Sequence, residues 1–362
     1  TARQTILRRI PPQMSTYPTA VLEGTERIFG AGITPPQSVA TILASIREEG
    51  DAALKRWSQT LDKVHLDVFR VPLEDLAAAY SSLPDALSQA LIASANRVRA
   101  FQECQPIPSW ETQALGGTLG QRFTPIERVG VYVPGGTAPL PSSLLMSVIP
   151  AQVAGVGQIV VCTPPDPNPL ILAAAHLCNI DRVYQIGGAQ AIGAMAFGTQ
   201  TIPQVDKIVG AGNLFVTLAK QQVYGIVGLD GLAGPTETMV IADEDANPQW
   251  VAADLLAQAE HDILAKAILL TPDDSLAQRV QIAVAQQVEN LSRADIIAQS
   301  LPELGGIVLT PDIKTAASIA NEYAPEHLCL SVAQPWKLAQ EINNAGGIFL
   351  GEHSFEVLGV YI

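Results

Sequence analysis

The feature that most constrains the fold is a regular alternation of short β-rich runs with helical stretches, which begins near Arg128. Four strand-like runs are VGVYV (129–133), QIVVC (158–162), RVYQI (182–186) and KIVG (207–210). Successive runs start roughly 25 residues apart, which is the length of one strand, one crossover helix and their loops. Four such units in a row predict a parallel sheet with helices packed on both faces.

A second series of the same kind follows residue 235. Its strand-like runs are ETMVIAD (237–243), KAILLTP (266–272), GIVLT (306–310), CLSV (329–332) and GGIFL (346–350). Helical patterns fill the intervals at 247–262, 275–291 and 313–324. The sequence therefore predicts a second parallel α/β unit.

The first 130 residues contain helical patterns but no comparable series of strands. Residues 1–35 contain several prolines and predict an irregular arm, whereas 38–62 and 84–102 have apolar residues near helical spacing, with a break at Gly50. These amphipathic helices need a sheet to cover, and we expect it to be the second one. The predicted organisation is an arm over 1–35, an outer α/β domain made of 36–130 and 236–362, and an inserted α/β domain over 131–235.

Composition and charge exclude several classes of protein. A hydrophobic content of 48% with 15% charged residues is typical of a globular chain and argues against disorder. The net charge of −14, without a basic stripe, argues against broad nucleic-acid contact. An anionic cofactor would therefore have to bind mainly to backbone N–H groups and helix N-termini. There is no run of about 18 apolar residues and no apolar secretion signal, so we expect a cytoplasmic protein that does not enter a membrane.

The four cysteines, at positions 104, 162, 178 and 329, lack the C-x-x-C spacing of a metal-binding or redox pair. Three of them have apolar neighbours in the sequence. We therefore predict reduced, buried thiols without a chemical role.

Three glycine turns follow strands of the first series. They are VPGGTAP (133–139), IGGAQA (186–191) and Gly210-Ala211-Gly212, the last without the third glycine of a dinucleotide fingerprint because Phe215 stands there. Each turn alone is explained equally by a simple strand-to-helix connection. Three of them at the carboxyl ends of parallel strands favour a ligand site, because open α/β sheets bind ligands at that rim.

Three of the five histidines directly follow a glutamate, in Glu260-His261, Glu326-His327 and Glu352-His353. His261 is predicted to lie on a helix with Gln258 three residues before it and Asp254 seven before it, so that their side chains share a face. Imidazole is a good zinc ligand, but a glutamine oxygen is a poor one. The pattern therefore fits either a metal site or a polar helix end. His65 and His176 have no chemically suggestive neighbours.

Glu326 and His327 follow Pro325, at the junction of a predicted helix and a predicted strand. Adjacent residues there point in different directions, so the two could approach a substrate as independent acid/base groups. The alternative is a solvated loop without a chemical role. For His353, in a predicted turn, an exposed loop is the simpler interpretation. The sequence contains no Ser-His-Asp series, G-x-S-x-G or H-E-x-x-H motif.

Taken together, these stretches resemble the histidinol dehydrogenase family. The similarity is carried, in the family's order, by VGVYVPGGTAPLPSSLLM, IGGAQAIGAMAFGT, VGAGNLFVTLAK, LAGPTETMVIAD, WVAADLLAQAEHD, NEYAPEHL and GGIFLGEHS. The resemblance implies two Rossmann-like domains, one inserted into the other, in a homodimer. It implies NAD-dependent oxidation of L-histidinol to L-histidine, the last step of histidine biosynthesis, in two hydride transfers through a bound aldehyde.

The resemblance also implies roles for individual residues. Glu326 matches the residue that activates the water added to the aldehyde, and His327 matches the acceptor of the alcohol proton. Gln258 and His261 match ligands of a zinc ion that holds the substrate. Contacts to NAD are implied for Tyr132, Gln190 and Asn213, and contacts to the substrate for Thr236, Gln258, His261 and His327.

Near its end the sequence departs from the family pattern. Phe355 stands at the position of a family proline, and Val360 at that of an aspartate that binds zinc. The family's further tail, which supplies another zinc histidine and a substrate-contacting glutamate, is not in this sequence. One glutamine with one histidine is too few for a stable catalytic zinc site, so we expect an incomplete one.

Three interpretations stay open from the sequence. The first is a histidinol dehydrogenase, whose histidinol-dependent NADH formation zinc would restore after chelation. The second is a truncated, catalytically inactive homologue that folds and binds NAD or partner chains, with no NADH formation and no tightly bound zinc. The third is a dehydrogenase of another amino alcohol that reduces NAD without a metal.

Overall fold

A computed structural model of the chain describes residues 6–7, 17, 19–105, 107–135, 140–232 and 236–355. These residues fall into two compact units, one of 19–232 and the other of 236–355 together with Ile6 and Leu7. Each unit is built around a five-stranded sheet in which all neighbouring strands are parallel. The predicted fold class, α/β with two parallel sheets flanked by helices, is confirmed.

The first unit begins with helices and a hairpin. They are α1 (Thr19–Phe29), α2 (Pro35–Glu49), α3 (Asp51–Trp57), a π-helical turn (Ser58–Asp62), α4 (Leu73–Ser81), α5 (Asp85–Glu103), β1 (Trp110–Thr112) and β2 (Leu119–Gln121). The α/β series that follows consists of β3 (Arg128–Tyr132), α6 (Pro141–Val153), β4 (Gln158–Thr163), α7 (Pro169–Leu177), β5 (Val183–Gln185), α8 (Gly188–Phe197), β6 (Lys207–Val209), α9 (Leu214–Val223) and β7 (Gly228–Leu229).

The sheet of the first unit has the strand order β5-β4-β3-β6-β7 and is apolar on both faces. Alternate residues of each strand point to opposite faces, so Tyr132 and Val160 belong to one apolar cluster while Val131 and Val161 belong to another. The first cluster packs against α2, α3, α8 and α9, and the second against α4, α5, α6 and α7. Burial on both faces explains why these strands read as continuous apolar runs.

The helices before residue 104 cover this first sheet, which differs from the expectation that they cover the second. Ile42 and Ile46 of α2 share a cluster with α8, and Leu76 of α4 and Leu91 of α5 share the other with α6 and α7. Residues 36–103 therefore belong to the same unit as 128–229. An amphipathic pattern shows that a helix has an apolar face, but hydrophobic burial is non-directional and does not select the sheet.

Two local features of this helical region bear on the sequence interpretation. The helix α1 lies inside the segment predicted as an irregular arm. A proline within a helix would interrupt it, but Pro18 and Pro35 stand before and after α1 in the sequence. The predicted break at Gly50 is confirmed, since this glycine separates α2 from α3 with φ of +59°.

The second unit contains β8 (Glu237–Ala242), α10 (Pro248–Ala259), β9 (Lys266–Thr271), α11 (Asp274–Val288), α12 (Ala294–Leu304), β10 (Gly306–Leu309), α13 (Ile313–Tyr323), β11 (His327–Ser331), α14 (Pro335–Ala339) and β12 (Gly347–Leu350). Its sheet has the order β10-β9-β8-β11-β12. The helices α10, α11 and α12 pack on one face, while α13 and α14 pack on the other. In both sheets the first strand of the series is central, so the two units share one topology.

None of the helices in the described ranges combines the length and the apolar character that a bilayer crossing requires. Cys162, Cys178 and Cys329 are buried and form no disulfide, as predicted, whereas Cys104 is exposed.

Candidate functional site

The glycine turn after β6 lies at the point where the strand order of the first sheet reverses. The chain builds outward from β3 to β5 and then returns to place β6 on the other side of β3, and open α/β sheets bind ligands outside the carboxyl ends of the strands there. Gly210 has φ of +108°, and a Cβ at this position would be 2.1 Å from the carbonyl oxygen of Tyr132. Only glycine allows this approach, which brings the turn against the end of β3.

An ion pair between a buried lysine and an exposed aspartate holds the same turn. Lys220 of α9 is only 2% exposed, and its ammonium donates to the Gly210 carbonyl at 2.9 Å and to the Asp230 carboxylate. The other carboxylate oxygen of Asp230 accepts from the Gly210 N–H at 2.7 Å. Both backbone polar groups of Gly210 are therefore bound by charged partners, which fixes the conformation of the turn. Sequence reasoning missed this pair. Asp230 lies ten residues after Lys220, beyond the end of α9 and after β7, and only the tertiary fold brings the two together.

Tyr132, a predicted NAD contact, joins the turn after β6 to the start of α8. Its hydroxyl accepts a hydrogen bond from the Gly188 N–H at 3.1 Å. The side chain is 3% exposed, and burial raises the pKa of this phenol to about 12. The group therefore stays a neutral hydroxyl that can donate its own hydrogen.

Gln190, the second predicted NAD contact, lies in the first turn of α8 and is 1% exposed. Its Nε2 donates to Oδ2 of Asp62 at 3.0 Å. Its Oε1 is buried without a hydrogen-bond partner among the described residues. A buried acceptor of this kind is costly unless a ligand satisfies it.

Asn213, the third predicted NAD contact, caps the N-terminus of α9. Its side-chain oxygen accepts from the N–H groups of Phe215 at 3.1 Å and Val216 at 3.2 Å. Gly212, one residue earlier, would bring a Cβ within 2.9 Å of the Tyr132 ring. The structure therefore places Asn213 at a helix start beside Tyr132, where backbone N–H groups and the helix dipole favour an anion.

The other two glycine turns meet at a neighbouring groove on the same edge of the first sheet. A Cβ at Gly135 or at Gly187 would be 2.9 Å from Pro164. The groove has a volume of about 400 Å³ and is lined by residues that include Pro134, Gly135, Thr163, Pro164 and Pro167. The predicted rim of turns at the carboxyl ends of β3, β5 and β6 is thus observed; positions 136–139 of the first turn lie outside the described residues.

Glu326 and His327 lie at the amino edge of the second sheet, where its strands begin. Glu326 is exposed and precedes β11, and its carboxylate accepts from the Glu237 N–H at the start of β8 at 3.2 Å. His327 is the first residue of β11, is half-buried and stands in register with Thr238 of β8. Its ring centroid is 6.0 Å from that of Phe349 on β12. His327 is therefore held by strand pairing, whereas Glu326 lies in the exposed bend before the strand and bonds the Glu237 N–H.

Gln258 reaches the same edge from the last turn of α10. It is 2% exposed, and its Oε1 accepts from the Thr238 hydroxyl at 3.0 Å, while its Nε2 is buried without a partner among the described residues. Rotation of the amide by 180° would let Nε2 donate to the Thr238 hydroxyl, which can accept as well as donate. Oε1 would then be a buried acceptor available to a cation. Thr238 and His327 are register partners on adjacent strands, so Gln258 contacts β8 beside the strand that carries His327.

His261 does not lie on the helix that was predicted to carry it. The helix α10 ends at Ala259, and the exposed His261 follows in a turn where its N–H donates to the Gln258 carbonyl at 3.1 Å. Asp262 accepts from the Leu264 N–H at 2.8 Å, and this local side-chain bond competes with continuation of the helix. The shared helix face therefore extends only to Asp254 and Gln258, one turn apart.

His353 lies at the other end of α10. Its ring packs against Trp250 with centroids 4.9 Å apart, and the neighbouring Glu352 accepts from the Asn247 N–H that precedes α10. Trp250 and Gln258 are eight helical residues apart, which is roughly 12 Å. His353 is exposed and has a packing role at the carboxyl edge of the sheet, so the simpler interpretation holds for it.

A zinc site is not complete within the described residues. They contain no group of three or more histidine, cysteine, aspartate or glutamate side chains placed to hold a metal. Gln258 and His261 are two donors, whereas a catalytic zinc takes three protein ligands. Val360 lies outside the described residues, and Phe355 packs partly buried into the cluster beneath α10.

Three further buried polar residues lie at this edge, and sequence reasoning missed them. The Tyr323 hydroxyl donates to Glu237 at 3.0 Å, and the Lys266 ammonium lies 5.6 Å from the centre of the Tyr323 ring. Lys266 also uses its N–H to bind the carbonyl of Thr236, the predicted substrate contact, at 3.0 Å. These residues hold the starts of β8 and β9 and so position the backbone that binds Glu326.

Comparison with known proteins shows the family of the chain. The sequence model for histidinol dehydrogenases matches residues 34–362. The histidinol dehydrogenase of Thermus thermophilus is 49% identical over 329 residues, 91% of this chain and 79% of that protein. That of Nitrosospira multiformis is 48% identical over 331 residues, 90% of this chain and 75% of its own length. The crystal structure of histidinol dehydrogenase from Elizabethkingia anophelis superposes with a TM-score of 0.88 at 39% identity, covering 96% of this chain and 81% of that one. The chain belongs to the histidinol dehydrogenase family.

Proposed function

We propose that the protein catalyses the NAD-dependent oxidation of L-histidinol to L-histidine, the last step of histidine biosynthesis, in the cytoplasm. The observation that carries the proposal is the pairing of Glu326 with the Glu237 N–H beside a half-buried His327, at an edge that also holds Gln258. Two acid/base groups next to each other suit a reaction that must remove protons at two successive oxidations. The family to which the chain belongs supports this choice of substrate.

The two acid/base residues have separate tasks in this proposal. His327 accepts the hydroxyl proton as the alcohol becomes an aldehyde. Glu326 then removes a proton from the water that adds to the aldehyde, and the hydrate is oxidised in the second step. Thr236, Gln258 and His261 contact the substrate. Cys329 is buried two residues after His327 and faces the core beneath α10, which supports a route without a thiol adduct.

NAD binds at the carboxyl edge of the first sheet in this proposal, and two NAD molecules in succession accept the two hydrides. The start of α9 at Asn213 offers the positive end of the helix dipole to the diphosphate, which suits a chain with a net charge of −14. Tyr132 offers its hydroxyl hydrogen and Gln190 offers Oε1. The unpaired Oε1 supports a ligand at this position because the described residues do not satisfy it.

For zinc we propose that Gln258 and His261 are two of the ligands, with further donors outside the described residues. The unpaired amide of Gln258 supports this assignment, since one rotation makes its oxygen available. We also propose a homodimer, as the family resemblance implies. Contact with nucleic acid is not part of the proposal, in keeping with the acidic chain.

The test is NADH formation, followed by its absorbance, with purified protein, NAD and L-histidinol. We expect two NADH per histidinol, loss of the activity after chelation and its return with added zinc. Ethanol and L-alaninol serve as control alcohols. NAD reduction that persists after chelation or prefers another amino alcohol would favour the metal-independent dehydrogenase. A protein that binds NADH but forms none with any of these alcohols would be the inactive homologue.

A further inference from the structure

Asp62 is the last residue of the π-helical turn that follows α3. It is not one of the residues proposed to contact the cofactor or the substrate. Its carboxylate is half-buried and accepts the hydrogen bond from Nε2 of Gln190 at 3.0 Å. The two residues are 128 positions apart in the sequence, so only the packing of α3 beside α8 brings them together.

The charge of Asp62 determines which way the Gln190 amide faces. An ionised carboxylate has acceptors only, so it can bind the NH₂ group of the amide but repels its oxygen. The Oε1 atom is consequently turned away from Asp62. It is a buried acceptor that no described residue satisfies.

The neighbouring backbone keeps that oxygen uncovered. Gly188 has φ of +59°, and a Cβ on it would be 2.8 Å from Oε1 of Gln190. The N–H of Gly188, the nearest donor of the turn, is already bound to the Tyr132 hydroxyl. The turn therefore offers Oε1 no donor of its own, and it leaves space where a side chain would otherwise lie.

We propose that Asp62 is a positioning residue of the dinucleotide site, which orients Gln190 so that Oε1 accepts a hydrogen bond from an N–H or O–H group of the cofactor. The nicotinamide carboxamide and the ribose hydroxyls are the groups of NAD with this chemistry. The inference rests on the proposed function, because it takes NAD as the ligand at Gln190. The inference also predicts ligand specificity. A ligand that presents only a hydrogen-bond acceptor at this position would be repelled by the amide oxygen of Gln190.

A double-mutant cycle measured by NADH fluorescence tests the inference. The variants are D62L, Q190L and D62L/Q190L, and thermal unfolding shows that each is folded. We expect D62L to weaken NADH binding about tenfold, as loss of a hydrogen bond to a charged group implies. In the Q190L background the same change should alter affinity less than about twofold, because Asp62 acts through Gln190. D67L is the matched control, since exposed Asp67 carries the same charge five residues later and faces Lys55 and His65, not Gln190.

D62N provides a second test that disturbs packing less. Asparagine still has an acceptor oxygen but no longer forbids the reversed amide, so we expect binding about two- to threefold weaker. An equal loss on D62L with and without Gln190 would overturn the inference, as would unchanged affinity in both Asp62 variants. Those results leave wild-type NADH binding intact, whereas failure of the wild-type protein to bind NADH overturns the proposed cofactor and the inference together.

Discussion

The two parallel sheets share one strand order but present their candidate site residues at opposite edges. In the first sheet Tyr132, Gly210 and Asn213 lie where β3 and β6 end. In the second sheet Glu326 and His327 lie where β11 begins, next to the start of β8. In each sheet the candidate residues lie beside the two strands between which the strand order reverses, β3 and β6 or β8 and β11. The shared topology therefore accounts for the pair of strands but not for the edge of the sheet.

The helix ends at each edge explain why the two sites suit different chemistry. At the carboxyl edge of the first sheet α8 and α9 begin, so the positive ends of their helix dipoles lie at this edge. At the amino edge of the second sheet α10 and α13 end, and their carbonyl groups are partially negative. The first arrangement suits a diphosphate, and the second suits a metal ion or an ammonium group.

The largest expected effect separates chemistry from cofactor binding. H327N removes the proposed proton acceptor, so kcat for histidinol oxidation should fall by about 10²- to 10⁴-fold. NADH affinity should change less than about twofold, because His327 is not among the residues proposed to hold NAD. H65N, at an exposed histidine of the first unit, is the control and should leave both quantities unchanged. A parallel loss of NADH affinity in H327N would remove the distinction between the edges.

The next effect concerns the close approach of the turn after β6 to Tyr132. G225A is the matched control, because Gly225 has φ of +95° with open space around it. Its alanine should cost about 1–2 kcal/mol of unfolding free energy from the left-handed backbone alone. G210A adds a Cβ 2.1 Å from the Tyr132 carbonyl oxygen, so it should cost about 1–3 kcal/mol more by urea denaturation and weaken NADH binding. Equal costs for the two variants would show that the approach is not tight.

A smaller effect concerns the unpaired amide at the amino edge. Q258L removes a buried N–H without a partner but also the acceptor of the Thr238 hydroxyl. Removal of the unpaired donor stabilises the protein and loss of the acceptor destabilises it. The unfolding free energy of the metal-free protein should therefore change by no more than about 1 kcal/mol. Zinc content by mass spectrometry and histidinol oxidation should nevertheless be lost. A strongly destabilised variant would mean that Gln258 serves the fold more than a ligand.

The smallest effect is a pH dependence that involves the carboxyl edge. Burial raises the pKa of Asp62, and the hydrogen bond from Gln190 opposes this only in part. A carboxyl group with a raised pKa binds its proton more tightly in the folded state, so its contribution to stability falls as pH rises through that pKa. The unfolding free energy of the wild type relative to D62N should therefore decrease from pH 4 to pH 7, by less than about 1 kcal/mol, in urea titrations. An increase over this range would contradict the burial of the carboxylate.

The sequence predicted the elements well because their signals are local. Short continuous β-rich runs located the strands of both series except β7, and the glycine turns marked the ends of β3, β5 and β6. The Glu326-His327 step was placed correctly between a helix and a strand. His261 was misplaced onto α10, because the Asp262 turn ends that helix through a bond that competes with helix geometry.

The sequence by itself determined the parallel α/β class, the family and the residues able to do acid/base chemistry. Only the tertiary structure decided that α2, α4 and α5 cover the first sheet, and that Asp62 binds Gln190 while Lys220 and Asp230 bind Gly210. The physical reason is range. Periodicity depends on residues that are close in the sequence. An apolar face or a carboxylate can pair with many partners, and only the packing of the whole chain selects one of them.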